Sequence, residues 1–96
     1  MPLVFEWDSR KAKSNLRKHG VSFDEACTVF DDTAATIFPD EDHSNGEEHE
    51  IIVGYSILDR VLLVSFTERS MDRVRIISAR KATRREQKDH EENVGS

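Results

Sequence analysis

Five arginines, at positions 60, 69, 73, 75 and 80, mark the ends and faces of two apolar runs, Val61 to Phe66 and Val74 to Ile77. A small sheet that carries cations where it needs only packing points to an anionic ligand, and phosphate suits arginine because a guanidinium grips it through two hydrogen bonds. Cleaving a phosphodiester without a metal needs a base for the attacking hydroxyl, cations for the phosphorane-like transition state and an acid for the leaving oxygen. Arg69 and Arg80 are the best cations of the set. Glu48 or His43 suits the base or the acid, histidine because its charge changes near neutral pH. Lys18 and His19 close an expected helix and add charge from the side; the same residues suit the negative end of the helix dipole. Trp7 can stack a base or simply end a first strand as a core aromatic. Ser78 adds a hydroxyl on the arginine ribbon.

The elements that must hold these groups are legible in outline. Val61–Phe66 and Val74–Ile77 are β-branched and apolar, with Glu68 to Asp72 as a polar turn between them. Leu3–Trp7 reads as a first strand, and Asp8 as the N-cap of a helix running to about Lys18 and stopped by Gly20. Ser22-Phe23-Asp24-Glu25 is a capping box, opening a helix whose Phe23, Ala26, Cys27 and Phe30 form a buried stripe. Thr33–Phe38 and Glu48–Ile57 read as strands, separated by a loop at Pro39–Gly46. Thr83-Arg84-Arg85-Glu86 is a second capping box, opening a last helix almost without an apolar stripe, and residues 92–96 are expected to be a disordered tail.

Spacing predicts a register. If Leu58-Asp59 is a two-residue turn and Arg69–Asp72 a four-residue turn, Ile51, Val53, Tyr55, Leu62, Val64, Phe66 and Ile77 share one apolar face. The first two helices would cover it. Ile52, Gly54, Ser56, Leu63, Ser65, Thr67, Val74, Ile76, Ser78 and Arg80 then make an uncovered face fit to lie against RNA. In that register Arg80 stands near Val61, about six residues from Arg69, or roughly 20 Å, too far for one phosphate.

Composition bounds the rest. Ninety-six residues make a single domain, 1–96, with one small core. The net charge is −5 and 34 % of residues are charged. Residues 21–59 hold eleven Asp/Glu and no Lys or Arg, a segregation that can fold into an acidic and a basic face. No apolar run is long enough for a membrane span, no secretory signal is visible, and one cysteine gives no disulfide; a cytoplasmic setting is the plain reading. Asp40, Asp42, His43 and His49 suggest a metal, but Asn45 and Ile51 stand where a calcium loop needs Gly and Glu. No cofactor is called for.

FEWDSRKAKSNLRKHGVSFDEACTVFDD, HSNGEEHEIIVGYS, RVLLVSFTER and RIISARKATRREQ, in this order, resemble the signatures of the BrnT toxin family over about residues 4–92. The resemblance implies an α+β fold of the RelE kind, an antiparallel sheet with two N-terminal helices on one face and a C-terminal helix. It implies a type II toxin that cleaves RNA without a metal, neutralised by a BrnA-like antitoxin, typically as a 2:2 complex that binds operator DNA through the antitoxin. Lys18-His19-Gly20, His43, Glu48, Arg69 and Arg80 are the matching polar positions. The chain departs from the pattern at His49, where Arg is usual, at Asp59, where a turn glycine is common, and at His90, where Tyr is frequent. The competing reading is a non-catalytic interaction module or corepressor, working through the acidic middle and the last helix.

Overall fold

The computed structural model describes residues 2–40 and 48–95, and in it the two apolar runs become the central strands of one five-stranded sheet. The strands are β1 (Val4–Glu6), β2 (Thr36–Pro39), β3 (Glu50–Tyr55), β4 (Val61–Ser70) and β5 (Arg73–Lys81), in the order β1-β5-β4-β3-β2. Three helices complete the chain: α1 (Ser9–His19), α2 (Phe23–Thr28), prolonged by a 3-10 turn at Val29–Asp31, and α3 (Arg84–Gly95). The fold is α+β, as expected. The sheet is mixed rather than antiparallel throughout, because β1 runs parallel to β5 through Val4↔Arg73, Phe5↔Val74 and Glu6↔Arg75. A parallel pair needs a long crossover, and α1 and α2 begin that crossover over one face.

The caps act largely as the sequence indicates. Asp8 Oδ1 accepts from Arg10 N at 2.8 Å, and Gly20 takes a left-handed φ of 68° to end α1. Ser22 Oγ accepts from Glu25 N at 3.0 Å, but the Glu25 side chain does not complete the box. It turns instead to Arg60, whose Nε lies 2.9 Å and Ser56 Oγ 2.6 Å from Glu25 Oε2, with Arg60 Nη2 bonded to the other carboxylate oxygen. The second box is reciprocal: Glu86 N donates to Thr83 Oγ1 at 3.1 Å and Thr83 N to Glu86 Oε1 at 2.9 Å.

The register differs from the expected one in both hairpins, and turn geometry is the cause. Ser56 N bonds Arg60 O, so the β3–β4 loop is the three residues Ile57-Leu58-Asp59, with Asp59 at φ 62°. A three-residue loop closed by a left-handed residue is a common hairpin form; Asp tolerates that conformation better than most side chains. The slip of one residue pairs Ile52 with Val64 and Gly54 with Leu62, so Ile52 rather than Ile51 and Val53 faces the helices. In the β4–β5 hairpin the turn is Met71-Asp72, and Val64 pairs with Ala79 instead of Ile77. Between Ser65↔Ser78 and Phe66↔Ile76 the register shifts, leaving Ile77 as a bulge. Because side chains alternate with period two, this shift, with a second between Glu68 and Ser70, turns Val74 and Ile76 toward the helices and brings Arg75 to the face that Ser78 already occupies.

The core follows from that register. Ile52, Leu62, Val64, Phe66, Val74, Ile76 and Ala79 pack against Val21, Phe23, Ala26 and Val29. Phe30 bridges Phe5 and Phe66, with ring centroids 5.1 and 5.0 Å away. Full burial of a side chain such as Phe23, Leu62 or Ile76 stabilises the fold by about 2 kcal/mol. Gly54 marks the tightest approach: a Cβ there would stand 2.8 Å from Asp32 Oδ2 and 2.9 Å from Ala35 Cβ. Asp32 cannot retreat easily, since the same Oδ2 accepts from Tyr55 N at 2.8 Å and its Oδ1 from Ala34 N at 3.0 Å. Gly54→Ala is therefore expected to lower stability by about 2 kcal/mol, the order of an overpacked core site, read as a drop in the urea midpoint with unchanged slope.

Candidate functional site

The face away from the core cluster divides into two ends. At the Tyr55–Val61 end α3 lies over it. With no apolar stripe, the helix is held by polar contacts: Arg80 Nη1 and Nη2 each lie 2.8 Å from a Glu86 oxygen, and Tyr55 Oη donates to Glu91 Oε1 at 2.7 Å. His90 is buried against the Tyr55 ring at 6.2 Å, its Nε2 without a hydrogen-bond partner. The Arg80 guanidinium holds the Glu86 carboxyl down at about 2, assisted by the Thr83 N–H. The expectation of a wholly uncovered face is thus corrected: α3 roofs one end, and Arg80 is committed to a carboxylate from the chain itself.

The open end is bounded by α1. β1 stops at Glu6, so beyond Arg75 the outer edge of β5 has no strand partner, and the Asn15 side chain takes its place. Asn15 Oδ1 accepts from Ala79 N at 3.0 Å, and its Nδ2 donates to Ala79 O at 2.8 Å and to Val21 O at 2.9 Å. The amide behaves as one residue of a missing strand. It fixes α1 along β5 and opens a groove of about 200 Å³ in which Lys18, His19 and Ser78 meet, with Lys11, Ser14 and Ile77. Three of the sequence-selected residues are brought together here. Basic residues along such a groove can track a phosphate backbone.

Farther toward the start of α1 lies a second hollow of about 280 Å³, lined by Asp8, Lys11, His49, Arg75, Ile76 and Ile77. Lys11 and Ile77 belong to both depressions, so the two adjoin. Register explains the alignment. Thr67 pairs with Arg75, and the β3–β4 ladder continued two residues past Ile51↔Ser65 sets His49 beside Thr67. Sequence reasoning missed Lys11, His49 and Arg75 as a group because its register put His49 and Arg75 on the covered face.

Glu48 and Arg69, selected together from the sequence, do line one hollow at the sheet's far end, but Glu50 and Glu68 line it too, with Thr67. Thr67 Oγ1 donates to the Glu48 carbonyl at 2.8 Å. Three carboxylates against one guanidinium make a poor seat for phosphate. Trp7 is half-buried and packs edge-on against Phe23 at 5.9 Å, on the rim of the core, so packing rather than base stacking accounts for it. His43, with Asp42 of the suggested metal cluster and most of the Pro39–Gly46 loop, lies outside the described residues. Among the described residues no three His, Cys, Asp or Glu side chains converge as a metal site requires. Cys27 has its thiol pushed up to about 12 by burial and by Asp24, which suits the small core hydrophobe its helix position indicates.

Two comparisons bear on this geometry. The family model for the ribonuclease toxin BrnT of type II toxin–antitoxin systems matches residues 7–86. Among solved structures, the chain is similar to the crystal structure of the Brucella abortus ribonuclease toxin BrnT, with a TM-score of 0.65 at 22 % identity; the match covers 88 % of this chain and 99 % of that one. A likeness at that identity speaks for the fold. No curated protein matches the chain. On the strength of the family match, which takes in α1 through the start of α3, the chain belongs to the BrnT family of ribonuclease toxins of type II toxin–antitoxin systems.

Proposed function

We propose that the chain is an endoribonuclease that cleaves RNA without a metal, by transfer of the phosphodiester to the neighbouring 2′-hydroxyl, and that its fold is of the RelE kind. The observation that carries this reading is the groove between α1 and β5, where Lys18, His19 and Ser78 meet beside Lys11. It offers a single strand a cationic track on a chain of net charge −5. In the cell, a BrnA-like antitoxin would neutralise the toxin in a 2:2 complex and carry it to operator DNA. The acidic segment 21–59 gives a basic antitoxin a complement, and RNA and antitoxin both belong to the cytoplasm.

The test is a digestion of single-stranded RNA by the pure protein with a chelator present. The expected products end in a 2′,3′-cyclic phosphate and a 5′-hydroxyl. Lys18→Ala with His19→Ala should weaken binding and lower the salt dependence of log Kd by about 0.7 per lost phosphate contact. Full complex formation with antitoxin but no RNA turnover would contradict the proposal and favour an interaction module.

A further inference from the structure

We infer that the cleavage centre is the hollow of Lys11, His49 and Arg75, with His49 as the group that takes the proton of the attacking 2′-hydroxyl. The inference rests on the ribonuclease reading above and specifies where in the molecule the reaction occurs. Three observations carry it. First, the three residues line one hollow, His49 from just before β3, Arg75 from β5 and Lys11 from the first turns of α1. Second, that hollow adjoins the α1–β5 groove, with Lys11 and Ile77 lining both, so a strand lying on Lys18, His19 and Ser78 has it as its neighbour. Third, the alternatives are electrostatically worse. Arg80 is held bidentately by Glu86, and the hollow of Arg69 is lined by Glu48, Glu50 and Glu68.

Charge decides between the hollows. A scissile phosphate brings negative charge that grows in the transition state, and preorganised cations supply the largest stabilising term. Among the described residues the Lys11–Arg75 hollow has two cations against Asp8, whose Oδ1 is engaged by the Arg10 N–H, and Arg75 meets Glu6 at 3.9 Å through Nε. Around His49 stand Asp8 and Lys11 from the α1 end, Arg75 from β5, and Glu48 and Glu50 as chain neighbours, while Asp40 N donates to the His49 carbonyl at 2.9 Å. In the proposed step the O2′–P bond forms and the P–O5′ bond breaks. The 2′-hydroxyl proton passes to the His49 imidazole, a water molecule protonates the leaving 5′-oxygen, and Lys11 and Arg75 hold the phosphorane oxygens. The step consumes no oxidant and needs no co-reactant beyond water.

The experiment measures single-turnover cleavage of an RNA oligonucleotide from pH 5.5 to 8.5 by the parent chain, His49→Gln, His49→Ala and Arg75→Ala, with thermal melts of each. General-base loss predicts that His49→Gln falls by about 10²–10⁴-fold and has a flatter pH profile than the parent, with an unchanged melt. Free imidazole should restore part of the His49→Ala rate, which no structural role of the side chain explains. Arg75→Ala should lose about 10²–10³-fold, the scale of one removed transition-state donor. His49→Gln cleaving at the parent's rate with the parent's pH profile overturns the assignment alone, as does a His49→Ala rate that imidazole leaves unmoved. A parent chain that cleaves no RNA overturns the ribonuclease reading and the assignment with it.

Discussion

Replacing Glu25 by Ala should lower the stability of the chain by about 3 kcal/mol, the scale of a buried ion pair broken on one side, and shift the melting midpoint down by roughly 15 °C for a domain of this size. Glu25 is 6 % exposed and is the acceptor on which three parts of the fold converge. Its carboxylate takes bonds from Arg60 and Ser56, and Arg60 Nη2 reaches on to Gly20 O at 3.1 Å, so one group ties the β3–β4 turn to the junction of α1 and α2. Without it, Ser56 and Arg60 keep their desolvation cost and lose their partner. The Arg60 side chain retains 31 % exposure and can turn to water, which keeps the loss toward the lower end of the range.

The sign of the pH dependence follows from the same contacts. The Arg60 hydrogen bonds, then the Ser56 hydroxyl, hold the Glu25 carboxyl below its ordinary value of 4.5 despite burial. A carboxyl depressed in the folded state contributes stability above its unfolded pKa and loses it as pH falls through the folded one. The difference between the parent and Glu25→Ala should therefore be largest near neutrality and shrink below pH 4.5. Urea unfolding at several pH values reads it; a difference that grows on acidification would contradict the assignment.

Asn15→Ala should cost about 3 kcal/mol, since it strands a backbone N–H and two carbonyls in a buried place. It also has a functional consequence the first change lacks. Asn15 holds α1 against the unpartnered edge of β5, and Lys11, Lys18 and His19 are all on α1. RNA affinity should fall although every cation of the groove is kept, Asn15 being a neutral residue of its wall. Hydrogen exchange checks the cause directly: the Ala79 amide should lose protection in the variant, while amides of β3 and β4 should keep most of theirs. Equal loss across the sheet would mean a general destabilisation instead.

What the sequence discloses and what it hides divide along physical lines. Strands, helices and caps are local, and Val61–Phe66, Asp8, Ser22 and Thr83 announce them through β-branching and capping chemistry. Register depends on single residues that carry no such signal. Asp59 adopts the left-handed conformation that glycine usually marks, so a three-residue loop reads as two. The Ile77 bulge leaves an apolar run looking continuous. Each moves a strand by one residue, and together they reassign His49 and Arg75 from the covered face to the open one. Lys18 and His19 are legible from the helix end alone, and Ser78 because the expected and the observed register agree on its face. The Arg80–Glu86 bond was hidden because it joins a strand to a helix whose docking no apolar stripe foretells.

The central claim is that RNA lies along α1 and β5, away from α3. Chemical-shift mapping of the isotope-labelled chain with a short oligonucleotide, made uncleavable by a 2′-deoxy nucleotide at the scissile position, tests it most directly. Amide shifts are expected to concentrate at Lys11, Lys18, His19, His49, Arg75 and Ser78, with α3 and the Arg69 hollow nearly still. Shifts centred on Arg80 and α3, or on Glu48 and Arg69, would contradict it.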